Sequence, residues 1–171
     1  MEEIIGNLYL GSFAEVEDIR SNIHKGFVAC LSIGKEFSLE DIEKTLYDLD
    51  KTCLPNLNKI GIAHKRFPII DGTPNVICRL LPKAISMIDD HINKGNVYVH
   101  CHAGVSRSAS IVFGYLLHKG YDPMEAFKIL VNKRGVVNPY DKFICEILFY
   151  FGFKNPELIT QQIYSKYIFK D

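Results

Sequence analysis

The chain has 171 residues, 47% hydrophobic and 23% charged, with twenty Lys and Arg balancing twenty Asp and Glu. That length and apolar fraction fit one globular domain and exclude a long disordered protein. A formal charge of zero excludes a sequence-wide basic field for nucleic acid or an anionic membrane, so any bound anion must be met by a local site.

Leu8-Tyr9-Leu10 reads as a short strand. Ser12 and Glu15 then have the spacing of a capping box, opening a helix to about Ser21. Phe27 to Ile33 is an apolar run of strand length, and Ser38 is placed to cap a helix through Leu39, Ile42, Leu46 and Leu49. A second strand is predicted over Ile60 to Ile70, ended by the loop Asp71-Gly72-Thr73-Pro74. The firm part of the following helix is expected to begin at Pro82 and to run through Ile85, Ile88 and Ile92 until Gly95.

Val97-Tyr98-Val99 reads as a buried strand, and beyond the next loop Ile111, Val112, Tyr115 and Leu116 share one helical face before Gly120. Asp122-Pro123, Asn138-Pro139 and Asn155-Pro156 each read as a cap with a first-turn Pro, opening three more helices. Strands alternating with helices predict an α/β fold, a mainly parallel central sheet flanked by helices. Ligands in such folds bind beyond the carboxyl ends of the strands.

Five cysteines (Cys30, Cys53, Cys78, Cys101, Cys145) form an odd set without CxxC spacing, which argues against zinc and against a disulfide framework. Reduced thiols in the cytoplasm, with the nucleus as the alternative, are the simplest expectation. The first residues lack the basic and apolar regions of a signal peptide, and no stretch reaches the roughly 18 apolar residues of a membrane span. A monomer without membrane insertion is expected.

The segment carrying chemistry is His100-Cys101-His102-Ala103-Gly104-Val105-Ser106-Arg107-Ser108. With five arginines in the chain, about 0.15 Cys-x5-Arg pairs are expected by chance, so the pair alone is weak and its context decides. It lies between a strand and a helix, where successive N–H groups turn inward and the helix presents its positive end, a cradle for a phosphate dianion. Residues 102–107 (His102, Ala103, Gly104, Val105, Ser106 and Arg107) would line that cradle.

Cys101 at its base sees those dipoles and Arg107, which favour thiolate and make it the nucleophile. Arg107 presents a planar fork matching two phosphoryl oxygens. Gly104 permits torsions that a side chain would forbid. Ser108 can donate a hydrogen bond to the sulfur as it leaves, and His100 orients the loop. The departing oxygen needs a proton, and Asp71 at the same sheet edge is the candidate acid, whereas Asp89 and Asp90 fall in a helix and are expected to face solvent.

His100 through Ala109 resembles the signature of the dual-specificity protein phosphatases, within the cysteine-based phosphatases. Ile4 to Gly11 resembles the start of that domain, Phe67-Pro68-Ile69-Ile70-Asp71 its acid loop, and Asp122 to Phe127 the helix after the signature helix, so the resemblance spans about residues 3 to 150. It implies the protein-tyrosine-phosphatase-like fold, catalysis with no metal or other cofactor, and phosphorylated protein substrates carrying phosphotyrosine, phosphoserine or phosphothreonine. On this view residues 1–152 are the catalytic domain and 153–171 a helical extension packed on it. Where the family commonly has Ser-Pro-Asn, this sequence reads Asn138-Pro139-Tyr140, so a hydrogen bond normally made by the Asn loses its usual donor. The segment from Ser38 to Asn58 is longer than usual. Two alternatives stand beside this reading: a phosphoinositide or other non-protein phosphatase, disfavoured because the loop holds no Lys, and a phosphopeptide-binding module, disfavoured because Cys101, Arg107, Ser108 and Asp71 are all present.

Overall fold

The structure, a computed structural model, describes residues 1–21, 26–34, 57–73 and 76–169. Its strands are β1 (Glu2–Ile5), β2 (Leu8–Ser12), β3 (Phe27–Ile33), β4 (Ala63–Phe67) and β5 (Asn96–Cys101). Its helices are α1 (Val16–Ser21), α2 (Ile77–Ile92), α3 (Arg107–His118), α4 (Pro123–Lys133), α5 (Asp141–Tyr150) and α6 (Pro156–Tyr167). The strands form one sheet in the order β1-β2-β5-β3-β4, parallel except for the antiparallel edge pair β1 and β2.

Side-chain alternation along the strands divides the core in two. Ala29, Leu31 and Ile33 of β3 and Val97 and Val99 of β5 join the large cluster with α2 to α6, whereas Cys30 and Tyr98 point to the smaller one with Val16 and Ile19 of α1. Helices therefore cover both faces, and the central strand β5 is paired along both edges. In α6, Ile163 is fully buried and Tyr164 nearly so, and both belong to the large cluster. Burying one such side chain contributes about 1.5–3 kcal/mol, enough to hold the helix against the rest. Among the described residues no helix is long and apolar enough to cross a membrane.

The α/β architecture and the mainly parallel sheet agree with the sequence reading, and the details differ for physical reasons. The strand expected over Ile60 to Ile70 is only Ala63–Phe67. Leu57–Ile60 is a 3-10 turn, Gly61 sits at a φ of +81°, and Pro68 has no N–H for the ladder. Helix α2 begins at Ile77, five residues ahead of Pro82, because Ile77 and Leu81 extend its fully buried stripe upstream and packing outweighs the bond that Pro82 removes. Helix α3 is buried along all of Arg107 to Leu117 rather than on one face. Asn138-Pro139 does not open α5, whose cap position is Tyr140, while Asn155 precedes α6 with a left-handed backbone and no side-chain cap bond. Asp122 does cap α4, accepting from Met124 N at 2.9 Å. Strand β1 was not anticipated, and the Ser38 helix lies outside the described residues.

Candidate active site

Cys101 is the last residue of β5, opposite Ser12 of β2 in the parallel register. Its thiol is 2% exposed, and both Gly104 N and Ser108 Oγ donate to Sγ at 3.2 Å. The chain turns at Gly104, where φ is +69° and an added Cβ would lie 2.4 Å from the carbonyl oxygen of Gly11. Only glycine meets both conditions.

Each carbonyl from Cys101 to Ser106 is tied to a donor elsewhere. Cys101 O accepts from His100 Nδ1 (3.2 Å), His102 O from Phe13 N (3.0 Å) and Ala103 O from Arg134 Nη2 (3.3 Å). Gly104 O accepts from Arg134 Nε (3.0 Å), Val105 O from Asn138 N (3.0 Å) and Ser106 O from Ser110 N (2.9 Å). With the carbonyls held away, the loop's N–H groups are left to converge on one anion. Arg134 was missed in the sequence, where it is one basic residue near the end of a helix. Glu2 pairs with its guanidinium and Glu15 Oε2 stands 3.6 Å from it, so β1 and the capping-box carboxylate brace the loop through one side chain. Glu15 also accepts from Ser12 N at 2.6 Å, the return half of that box.

The hydrogen bond to Cys101 O fixes the proton of His100 on Nδ1, so its Nε2 accepts from Ser32 Oγ at 2.7 Å. Ser32 in turn accepts from His64 Nε2 at 2.8 Å. Burial, with the charge of Arg66 adding to it, lowers His64 to about 4, and burial likewise lowers His100 to about 4. Near neutral pH both rings are therefore neutral, and His100 is bonded to the Cys101 peptide through Nδ1. Ser32, the one hydroxyl in the apolar run of β3, was the available signal for this network.

Asp71 stands at the mouth. Oδ1 accepts from Ser106 Oγ at 3.1 Å and Oδ2 lies 3.6 Å from Arg107 Nε, while the side chain stays 53% exposed. Asp89 does not simply face solvent: Tyr115, His118 and Lys119 all donate to it. Its burial raises the carboxyl, but those bonds outweigh it and hold the group below its ordinary range. Cys30 is pushed up to about 12 and Cys78 to about 11, mainly by burial, so neither is poised as a thiolate. His102 and Ala103 are exposed on the loop, and Val105 and Ser106 are half-buried. At the position where the family usually has Asn, the Tyr140 main-chain N–H donates to Ser106 Oγ at 3.1 Å.

A parallel sheet whose central strand ends in a cysteine, followed by an anion cradle and an arginine at a helix start, defines the cysteine-based phosphatase class of fold. Residues 8–152 match the family described as Dual specificity phosphatase, catalytic domain, and the chain belongs to that family. It is 32% identical over 151 residues to the putative tyrosine phosphatase 123R of Invertebrate iridescent virus 6, covering 85% of this chain and 87% of that one. It is also 32% identical over 148 residues to Dual specificity protein phosphatase 2 of Mus musculus, covering 85% of this chain but only 41% of that protein. Among solved structures, human DUSP28 superposes with a TM-score of 0.70 at 20% identity, covering 87% of this chain and 90% of that one.

Proposed function

We propose that this protein is a protein phosphatase that hydrolyses phosphotyrosine and phosphoserine or phosphothreonine through a cysteinyl-phosphate. The observation that carries the reading is the pair of donors, Gly104 N and Ser108 Oγ, both at 3.2 Å from Cys101 Sγ at the base of a loop whose carbonyls all face away. Residues 1–152 act as the catalytic domain and 153–171 as a helical extension of it, in a reduced cytoplasmic or nuclear setting.

In the first step the Cys101 thiolate attacks phosphorus. The S–P bond forms as the P–O ester bond breaks, and Asp71 gives its proton to the departing alkoxide or phenoxide. Residues 102–107 hold the equatorial oxygens by main-chain N–H groups, and Arg107 adds two donors that bind ground state and transition state. In the second step water attacks phosphorus, Asp71 takes its proton, and the S–P bond breaks. Ser108 Oγ donates to the sulfur as negative charge returns to it.

Protein substrates are favoured over phosphoinositides because the loop offers no lysine for further phosphates. Turnover of p-nitrophenyl phosphate by the wild type and by Cys101→Ser tests the reading. Release of phosphate by the wild type in the presence of a chelator, and none by the variant, is the expected result. Activity persisting in Cys101→Ser, or a wild type that binds phosphate without turnover, would refute it, the latter in favour of a binding module.

A further inference from the structure

Helix α6 lies beyond the stretch matched to the family, and one of its side chains is wired to the mouth of the site. Tyr164 Oη donates to the carbonyl of Pro139. The other end of that same peptide, Tyr140 N–H, donates to Ser106 Oγ at 3.1 Å. Because Ser106 Oγ accepts there, its own proton is directed to Asp71 Oδ1, also at 3.1 Å. Tyr164 is 6% exposed, and its ring centroid lies 5.7 Å from that of Phe127, so the hydroxyl is delivered by a fixed aromatic anchor.

We infer that Tyr164 is a positioning residue for Asp71, acting through the Pro139–Tyr140 peptide and the Ser106 hydroxyl. Bonds made in series polarise one another: an acceptor bond on the carbonyl strengthens the N–H of the same amide, which holds Ser106 with its proton outward. Burial and the charge of Asp141 push the Tyr164 phenol well above its ordinary range, so it stays a donor at every working pH. The carboxyl of Asp71 is 53% exposed, with Ser106 Oγ on Oδ1 and Arg107 Nε 3.6 Å from Oδ2, so the aim of the hydroxyl helps set where its proton-bearing oxygen points. The extension is thereby part of the acid's support as well as part of the core.

The inference rests on the reading of Asp71 as general acid, and leaving-group dependence separates the two. kcat/KM is measured on phenyl phosphate, a poor leaving group, and on 2,4-dinitrophenyl phosphate, a good one. The proteins compared are the wild type, Tyr164→Phe, Ser106→Ala, Asp71→Asn and the double variant Tyr164→Phe with Asp71→Asn. Tyr164→Phe is expected to lower phenyl phosphate turnover by about three- to tenfold, the rate equivalent of one neutral hydrogen bond, and to leave the activated ester within about twofold. Ser106→Ala is expected to lose more on phenyl phosphate than on the activated ester, and in the Asp71→Asn background the Tyr164→Phe penalty disappears. Equal losses on both esters in Tyr164→Phe, or a penalty that survives in the double variant, would overturn the inference. Failure of Tyr164→Phe to fold would overturn it too, because the packing belongs to the ring that Phe retains. An Asp71→Asn penalty equal on both esters would instead remove the general-acid reading itself.

Discussion

On the sulfur side of the site the groups held are main-chain ones, fixed by backbone and side-chain donors at the buried end of the central strand, whereas the carboxylate side is held through side chains at the surface. Cys101 is 2% exposed, in register with Ser12 of β2, and the loop behind it is tied down carbonyl by carbonyl. Asp71 is 53% exposed on its side chain and is placed by one hydroxyl and one guanidinium. The difference fits the chemistry proposed for each side. A phosphoryl group needs several N–H groups converging on a fixed point, which a backbone supplies without reorganisation. An acid must meet leaving groups of different lengths from the open side, which an exposed carboxyl on a loop can do.

The comparison breaks most sharply at Asp71, whose proposed role as acid no backbone group can take over. Asp71→Asn is expected to lower kcat/KM on phenyl phosphate by about 10²–10⁴, the range of general acid catalysis, with a much smaller loss on 2,4-dinitrophenyl phosphate. Steady-state kinetics on the two esters checks it. On the sulfur side the vulnerable position is a glycine. Gly104→Ala places a side chain at a φ of +69° and 2.4 Å from the Gly11 carbonyl. The torsion alone costs about 1–3 kcal/mol and the clash adds to it, so both the urea midpoint and turnover are expected to fall. An alanine variant with wild-type stability would show that the loop is not held as described.

The same contrast governs what could be read in advance. That Cys101, Gly104 and Ser108 meet, with Arg107 beside them, was legible because all four lie within nine residues between one strand and one helix. The place of Asp71 beside Ser106 and Arg107 was legible because Gly72 and Pro74 mark its loop at the same sheet edge. Arg134, Ser32, His64 and Tyr164 were not, since each acts across the fold on a residue at least 25 positions away, and nothing in linear spacing reports such a meeting. Helix α2 shows the limit from the other direction. Pro82 is a strong local signal for a helix start, but the buried stripe from Ile77 overrode it.

The histidine network sharpens the sulfur side by its pH dependence. Burial leads the lowering of His64 and His100, each from 6.5 to about 4, so the folded rings bind protons less readily than the unfolded ones. Their contribution to stability is fully present above pH 6.5 and is lost as the pH falls toward 4. Urea midpoints are expected to drop across that window, and to drop less in His100→Gln, which has no ring to protonate. A wild-type profile that stays flat through the window would contradict the neutral network.

The smallest effect is expected at Tyr140, although it stands where the family usually has Asn. Its polar link to the site is the main-chain N–H to Ser106 Oγ, which any residue but proline retains. Its ring meets Phe143 edge-on, with centroids 5.3 Å apart at 89°, and Lys142 Nζ stands 5.9 Å from the ring centroid. Tyr140→Asn therefore removes an aromatic pair, worth about 0.5–1.5 kcal/mol, and leaves the bond to the cradle in place. The expected outcome is a lower Tm with little change in preference: the ratio of kcat/KM on matched phosphotyrosine and phosphothreonine peptides moves by less than about threefold, under the rate equivalent of one hydrogen bond. A tenfold or larger gain on the phosphothreonine peptide would place the ring at the mouth during binding, and would make Tyr140 a determinant of which phosphoresidue enters.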